Sequence, residues 1–333
     1  MNKKYLNLLA VIITAGLFAA GAFLNPSTAA SPATDTLNYL PPSDAIALVD
    51  VRRFLREIVP RVFEGDAAKL AQMNSEIDKF KDRTGVDLRS FDRIVLGMHY
   101  TFPSATVTKI ENVAIAHGAF DAKALTAAEK LAAPGKYREE NYRSRTISII
   151  SINDQIKLLG LWNIRVSDLA ICPLDANTLA LGTLSSVRSA IDTGRAGSST
   201  NQQLAALAGR DPNAVVGFGG NLTSALMENL NVGNDAIAKD VNSIRQVYGS
   251  IGPSDADVAL FLAARTDSPE AAKSVSETVI GLKQLGGILI VRLAPAKKAL
   301  AESALDNLKI TTRGNEVEVR TQFAAAGLAS FIK

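Results

Sequence analysis

Apolar residues follow two patterns along this chain: short unbroken runs, and stretches in which they recur every third or fourth position. Unbroken runs such as residues 45–51 and 112–118 are typical of buried strands. Pro60 is expected to kink or end the helix after the first run, because proline lacks a backbone donor. The spacing within residues 66–83 predicts an amphipathic helix that ends at Gly85. Its apolar face consists of Leu70, Met73, Ile77 and Phe80.

Polar turns between apolar runs predict hairpins in both halves of the chain. The turns lie at Arg143–Ser144, at residues 174–177 and at Gly314–Asn315. Ser268 and Pro269 mark the start of a later helix, as its N-cap and first helical position. Residues 286–294 fit either a buried strand or a continuation of that helix, and the helical spacing just beyond them favours the helix.

The order strand, helix, two strands, helix, two strands occurs about twice. The strand and helix at 45–59 match those at 214–230, and the strand and helix at 112–131 match those at 257–285. We therefore predict an α+β fold with two related halves, residues 41–196 and 197–333, that arose by duplication. Each half is expected to be an antiparallel sheet covered on one face by helices.

The first 30 residues have the features of an export signal. Lys3 and Lys4 precede an uncharged, largely apolar stretch, residues 6–24, and small residues follow it. Two outcomes stay open: cleavage of residues 1–30, or retention of residues 6–24 as an inner-membrane anchor, because that stretch is long enough to approach a bilayer span. Either outcome places the folded part outside the cytoplasm, in the periplasm. Residues 31–40, which are small and polar, are expected to be a linker.

The charge of the chain argues against nucleic-acid binding, and its cysteine content rules out an intramolecular disulfide. The chain has 36 Lys and Arg residues against 33 Asp and Glu residues, and without Lys3 and Lys4 the excess falls from three to one. A nearly neutral chain without basic runs is not expected to bind nucleic acid. Cys172 is the only cysteine, so an intramolecular disulfide is excluded, and the fold must depend on its apolar core.

Four phrases of the sequence resemble phrases in a family of uncharacterised exported bacterial proteins, a domain of unknown function. They are "LPPSDAIALVDVRRFL", "TGVDLRSFDRIVLG", "ENYRSRTISII" and "DANTLALGTLSSVRSAID". The resemblance covers most of the chain after residue 38. It implies an exported α+β domain with duplicated halves, and it transfers no catalytic residues.

Two glycine-containing stretches superficially resemble nucleotide-binding loops. Residues 177–194 read as strand, glycine, hydroxyl residues and helix, but a Walker-type loop needs a lysine that "GTLSSVRS" lacks. Residues 217–221, "GFGGN", offer an incomplete dinucleotide fingerprint. Because strand–glycine–helix corners recur at Gly118, Gly182 and Gly220, we interpret them as chain geometry, with Ser185 and Ser186 as helix caps.

The histidines and the cysteine are weak candidates for chemistry. If strands 92–100 and 112–118 form a hairpin that turns near Ala105–Thr106, His99 faces residue 112 or 113 and lies far from His117. A zinc site is therefore not expected. Cys172, within an apolar run, is interpreted as a buried small hydrophobe.

Two further features could have either a purely structural role or a binding role. Lys136, Arg138, Arg143 and Arg145 form the densest basic cluster, but Glu139 and Glu140 lie among them. A mutually paired, solvated surface is therefore expected, with a reader of lipid headgroups or peptidoglycan as the alternative. An apolar stripe in the later helix either covers a sheet or closes a ligand groove. It consists of Val275, Val279, Leu282, Leu285, Ile288, Leu289 and Val291.

The sequence therefore predicts a non-catalytic exported protein that acts in the envelope as a binding or interaction module. Its partner would be an envelope protein or a lipid. The first alternative is a carrier of a lipid or other apolar ligand in a cavity between sheet and helices, and an enzyme is the second. No catalytic, cofactor-binding or metal-binding residue is predicted.

Overall fold

Strands from both halves of the chain form one continuous antiparallel sheet in a computed structural model. The structure describes residues 34–84, 87–104, 107–119, 121, 122, 124, 130, 135–158, 162–196, 201–223, 235–255, 257–290 and 295–325. The strands are β1 Ala45–Asp50, β2 Phe91–Ser104, β3 Val107–Gly118, β4 Tyr137–Tyr142, β5 Arg145–Leu158, β6 Trp162–Pro173, β7 Thr178–Gly182, β8 Val216–Asn221, β9 Ile244–Ser254, β10 Asp257–Thr266, β11 Lys309–Arg313 and β12 Glu316–Phe323. Their order across the sheet is β11-β12-β10-β9-β8-β1-β2-β3-β7-β6-β5-β4.

Helices connect these strands. The α-helices are α1 Thr34–Leu37, α2 Val51–Arg53, α3 Val59–Val62, α4 Ala67–Thr84, α5 Leu184–Ala196, α6 Gln202–Ala208, α7 Asp235–Ser243, α8 Pro269–Ile290 and α9 Pro295–Asp306. A π-helical turn, Phe54–Ile58, joins α2 to α3, and a 3-10 turn, Leu88–Ser90, precedes β2. The fold is therefore α+β, as the sequence predicts.

The expectation of a separate sheet in each half is wrong, because β1 and β8 pair with each other at the centre. β1 pairs with β2 on one side and with β8 on the other, both antiparallel. The β1–β8 register runs from Ala45 opposite Gly220 to Val49 opposite Val216. This pairing satisfies the backbone groups of two strands that would otherwise be exposed edges.

Helices cover both faces of the central strands, so the predicted one-sided covering is also wrong. On the first face, Ala47 and Val49 belong to a core cluster that includes Ile77 of α4. On the second face, Ile46 belongs to a cluster with Val187 of α5. Unbroken apolar runs such as β1 place apolar side chains on both faces, and each face must therefore be covered.

The predicted linker, residues 31–40, packs against the sheet from Thr34 onward. Leu37 and Leu40 are buried in the cluster on the second face. The polar composition of this segment hides its contribution in the sequence, because, of its described residues, only Leu37, Tyr39 and Leu40 pack against this cluster. The export signal proposed for residues 1–30 lies outside the described residues.

Several local predictions agree with the structure. The three hairpins turn where predicted, between β4 and β5, between β6 and β7, and between β11 and β12. The Ser268 side chain accepts the backbone N–H of Ala271 at 3.2 Å, as an N-cap does. The helical reading of residues 286–294 is confirmed as far as Ile290, and residues 291–294 lie outside the described part of the chain.

Candidate functional site

A groove on the first face of the sheet separates the α2–α3 segment from α4. It encloses about 330 Å3, at the lower end of the ~300–1,000 Å3 range of small-molecule sites. It is lined by Arg52, Leu55, Arg56, Val59, Pro60, Leu70, Met73, Asn74, Ile77 and Arg89. The floor is apolar, and arginine side chains stand at the edges.

The two walls of the groove come from local sequence periodicity. On α4 the lining residues recur every third or fourth position, from Leu70 to Ile77, which places them on one face of the helix. A short turn after Val62 reverses the chain, with the backbone N–H of Asp66 donating to Phe63 O at 2.9 Å. This short turn joins the two walls, which therefore follow one another directly in the chain.

The π-helical turn lies in the wall opposite α4. The backbone N–H of Val59 donates to Phe54 O, five residues back, instead of to the residue four back. The predicted interruption near Pro60 is therefore a π-helical turn just before it, and α-helix continues after this turn as α3. Leu55 and Arg56, which line the groove, lie within the widened turn, and such turns occur often at functional sites.

The three groove arginines are paired to carboxylates that stand outside the groove lining. Arg52 donates to Asp92, and Arg89 donates to Asp78 at 2.8 Å. Arg56 donates one bond to Glu57, at 3.3 Å. None of the lining side chains among the described residues is acidic. The charged groups of the lining are therefore guanidiniums, and the carboxylates that pair with them are not part of the lining.

The carboxylate of Glu57 is hydrogen-bonded mainly to Arg53 and more weakly to Arg56. Two hydrogen bonds from Arg53, each 3.0 Å long, hold its two oxygens. The pKa of the Glu57 carboxyl is lowered, chiefly by the bond from Arg53, against a smaller opposing effect of burial. Glu57 therefore stays ionised at neutral pH, and the Arg56 side chain, 70% exposed, is the least committed of the groove guanidiniums.

The polarity of the groove changes along its length. Arg52 and Arg89 lie at one end, where α2 meets the beginning of β2, and Asn74 is beside them because Arg89 donates to its backbone oxygen. Pro60 and Leu70 lie at the other end, next to the turn that joins the walls. One end is therefore cationic and the other is apolar.

The stretch 177–194 forms a structural corner. A Cβ on Gly182 would lie 2.3 Å from Asn112 O, so only glycine fits against β3 there. The N-cap of α5 is Thr183, whose hydroxyl accepts the backbone N–H of Ser186 at 3.3 Å, so the predicted capping by Ser185 and Ser186 is wrong. Ser185 instead donates to the carboxylate of Glu111 at 3.1 Å, which places negative charge near this helix end.

The glycines of "GFGGN" allow α6 to pack directly on β8. A Cβ on Gly217 would lie 1.8 Å from Ala208 O, and one on Gly219 would lie 3.0 Å from Leu204 O. Close packing of helix on strand accounts for both glycines without a nucleotide. Residues 224–230, the proposed helix after Gly220, lie outside the described part of the chain.

The two histidines stand apart, as the spacing predicts, but His99 has carboxylate neighbours that the sequence did not reveal. His99 lies opposite Glu111, one position from the expected residue 112 or 113, because the β2–β3 register shifts between Thr101 and Ser104. Its Nδ1 lies 2.7 Å from Asp44 Oδ2. That oxygen also accepts the backbone N–H of Tyr100, so Asp44 fastens the start of β1 to β2. This contact joins residues distant in sequence, and no local pattern signals it.

His117 lies six positions along β3 from Glu111, on the order of 20 Å at the strand rise. Its Nδ1 lies 3.1 Å from the hydroxyl of Thr178 on the neighbouring strand β7. Within the ranges that the structure describes, no group of three or more His, Cys, Asp or Glu side chains could hold a metal ion.

Cys172 should resist thiol reagents in the folded protein. It is fully buried, and burial raises the pKa of its thiol to about 11. The thiolate, which is the reactive form, is therefore scarce at neutral pH. We expect dithionitrobenzoate to label the thiol rapidly in urea and at least about a hundredfold more slowly without it. Labelling at equal rates in both conditions would contradict the buried position.

The basic cluster near residues 136–145 is paired, but not in the mutual way predicted. Arg138 donates to Asp168 of β6 at 2.9 Å, and Arg143 contacts Asp192 of α5 at 3.3 Å. Glu140 accepts two bonds from Arg188, of 2.8 and 2.6 Å. These ion pairs therefore connect β4 and the turn after it to β6 and α5, so the basic residues do not form an isolated cationic patch.

The apolar stripe of α8 divides into a packed part and an exposed part. Val275 and Val279 belong to a cluster with Val317 of β12. Leu282 and Leu285 are 49% and 56% exposed. The side chains of residues 288, 289 and 291 lie outside the described part of the chain. Of the described side chains of the stripe, Val275 and Val279 therefore pack on the sheet, and Leu282 and Leu285 do not.

A charged network occupies the second face of β9, β10 and β12. Glu318 is 1% exposed and accepts two bonds from Arg320, of 3.2 and 2.6 Å. The Arg320 guanidinium lies 4.7 Å from the ring centroid of Phe261. Glu316 accepts two bonds from Arg265, of 2.9 and 2.7 Å. Burial opposes ionisation of Glu316, yet hydrogen bonds led by the one from Arg265 outweigh it and hold its pKa below the usual value.

The helices that the structure describes include none that is both long and apolar enough to span a membrane. No protein-family model and no curated protein matches the chain. Solved structures of TP0453 are weakly similar. Crystal form III matches with a TM-score of 0.44 at 10% identity, over 92% of this chain and 99% of that chain. Crystal form IV matches with a TM-score of 0.43 at 12% identity, over 96% and 99%. Values this low support no inference about what the chain does.

Proposed function

We propose that this protein is a non-catalytic exported binding protein of the bacterial envelope, and that the groove between the α2–α3 segment and α4 is its ligand site. The observation that carries this proposal is the groove itself, which has a volume of about 330 Å3, an apolar floor and an opening to solvent. A carrier of a lipid or other partly apolar ligand is the form of this function that the groove favours.

The envelope location depends on the sequence of residues 1–30, which has the order of an export signal. The resemblance to uncharacterised exported bacterial proteins agrees with it. Both belong to the proposal together with the binding function.

Strand order supports the proposed duplication. β1, β2 and β3 follow one another across the sheet, and β7 returns beside β3. Likewise β8, β9 and β10 follow one another, and β12 returns beside β10. The antiparallel β1–β8 pair would then lie on the pseudo-twofold axis between the halves. The first half has two additional strands, β4 and β5, at its outer edge.

A second candidate function is protein–protein interaction through α8. Leu282 and Leu285 are the most exposed large apolar side chains of the described residues, and both lie on this helix. Exposed apolar side chains of this kind often mark a site where another protein binds, and here the partner would be an envelope protein with an apolar surface.

Native mass spectrometry on the full chain, released gently from its own envelope, tests the proposal. We expect a small-molecule adduct on the wild-type protein and its loss in Met73→Trp, which fills the groove. Gln72→Trp, on the exposed side of α4, is the matched control and should keep the adduct.

Two outcomes would contradict a ligand function for the groove. One is an adduct that persists on Met73→Trp. The other is a co-purifying protein, with no adduct, that is lost in Leu282→Glu and Leu285→Glu, since this would assign the binding function to α8.

A further inference from the structure

We infer that the groove binds an amphiphile that has one apolar tail and an anionic headgroup, with the headgroup at the arginine end. This inference rests on the proposed function, and it specifies the chemistry of the ligand. The argument has three parts: the sign of the charge along the lining, the hydrogen-bond donors still available, and the direction in which polarity changes.

The charge of the lining has one sign. Arg52, Arg56 and Arg89 line the groove, and none of its other described lining residues is charged. The carboxylates that pair with these arginines, Asp92, Glu57 and Asp78, are not among the lining residues. Each guanidinium is partly neutralised by its carboxylate, but the charged groups of the lining itself are all hydrogen-bond donors, which suit an anionic headgroup and offer no carboxylate to a cationic one.

Donors remain available for an anion. A guanidinium carries five N–H donors in a planar fork that suits carboxylate and phosphate groups. Arg56 donates one bond to Glu57, and its side chain is 70% exposed. Glu57 is already held by two bonds from Arg53, so an anionic ligand would not have to displace Arg56 from its main structural partner.

The apolar end fits a flexible hydrocarbon tail. Val59 and Ile77 are buried at the floor, and Met73, an unbranched and adaptable side chain, lies between the walls. An inorganic anion would contact only the arginine end and would leave this apolar surface in water. The full length of the groove is therefore used only by a molecule that has both parts.

Four probes separate these parts by isothermal titration calorimetry on the intact chain. Dodecyl phosphate, dodecyl maltoside and dodecyltrimethylammonium, each below its critical micelle concentration, share one tail and differ in headgroup charge. Inorganic phosphate supplies the headgroup alone. We expect dodecyl phosphate to bind at least about tenfold more tightly than the maltoside, and the ammonium and inorganic phosphate to bind most weakly.

Two matched variants test whether Arg56, the most exposed of the lining arginines, contacts the headgroup. Arg56→Gln should weaken the binding of dodecyl phosphate about tenfold more than it weakens that of dodecyl maltoside. Arg313→Gln, at an exposed position of the edge strand β11, should change neither. Because Arg56 is exposed, Arg56→Gln should fold normally, and a thermal melt that coincides with the wild type verifies this.

The outcomes distinguish failure of this inference from failure of the proposed function. Equal binding of all three dodecyl compounds, abolished by Met73→Trp, would overturn the headgroup assignment and leave the groove as a ligand site. Absence of binding by every probe would count against both. Binding of inorganic phosphate as tightly as dodecyl phosphate would assign the site to a free anion and overturn the role of the tail.

Discussion

Gly217→Ala is expected to destabilise the protein by about 3 kcal/mol or more. The added methyl group would lie 1.8 Å from the carbonyl oxygen of Ala208, and that oxygen belongs to the backbone of α6. A backbone atom cannot rotate away as a side chain can, so α6 must lift from β8. Leu204 and Leu207, which α6 buries against the sheet, would then lose part of their contacts. Urea unfolding followed by circular dichroism measures the loss.

The matched control is Gly281→Ala, within α8. Nothing lies within 4 Å of a Cβ placed there, and alanine favours a helix over glycine. This variant should be more stable than the wild type by about 0.5–1 kcal/mol. If Gly217→Ala unfolded at the same urea concentration as the wild type, the close approach of α6 to β8 would be wrong.

Glu318→Ala should cost about 3 kcal/mol, because it leaves the guanidinium of Arg320 without its carboxylate in a largely buried position. Arg320 is 18% exposed and lies over Phe261, so water compensates only part of the lost interaction. A second contact, from Arg210 at 3.6 Å, is lost as well. The free energy of unfolding at neutral pH reports the sum.

A double variant separates the ion pair from simple packing. Glu318→Leu combined with Arg320→Met replaces the pair with apolar side chains and should recover most of the stability, since neither charge is then left alone. Glu302→Ala, which breaks an exposed pair with Lys298, should change stability by less than about 0.5 kcal/mol. A loss of 0.5 kcal/mol or less for Glu318→Ala would show that its carboxylate is not buried among the arginines.

The sequence predicts those elements whose cause is local. The helix α4 and the three hairpin turns follow from spacing and turn residues within a few positions of one another. Ser268 caps α8 for the same reason. The single sheet could not be predicted in this way, because β1 and β8 are far apart in sequence and nothing within either strand identifies the other as its partner. The sequence does not predict the strand β9, since its apolar residues are interrupted by glycine, proline and polar residues.

The sequence predicts the apolar surfaces that line the groove, but it does not predict that they face each other. The apolar faces of residues 54–59 and of α4 are recognisable from their spacing, and each reads as an ordinary face that packs on a core. Their placement side by side on one face of the sheet depends on tertiary packing. The arginines are scattered between positions 52 and 89, so their common location becomes evident only in three dimensions.

The antiparallel contact between β1 and β8 also fixes the order in which the chain can be completed. All the neighbours of β2 and β3 lie before Gly182, so the first seven strands can assemble as soon as they have been made. Of these strands, β1 keeps one edge of backbone donors and acceptors unpaired until β8, Val216–Asn221, has been synthesised. During synthesis β1 would therefore be an exposed strand edge of the partly formed protein, open to pairing with other chains until β8 covers it.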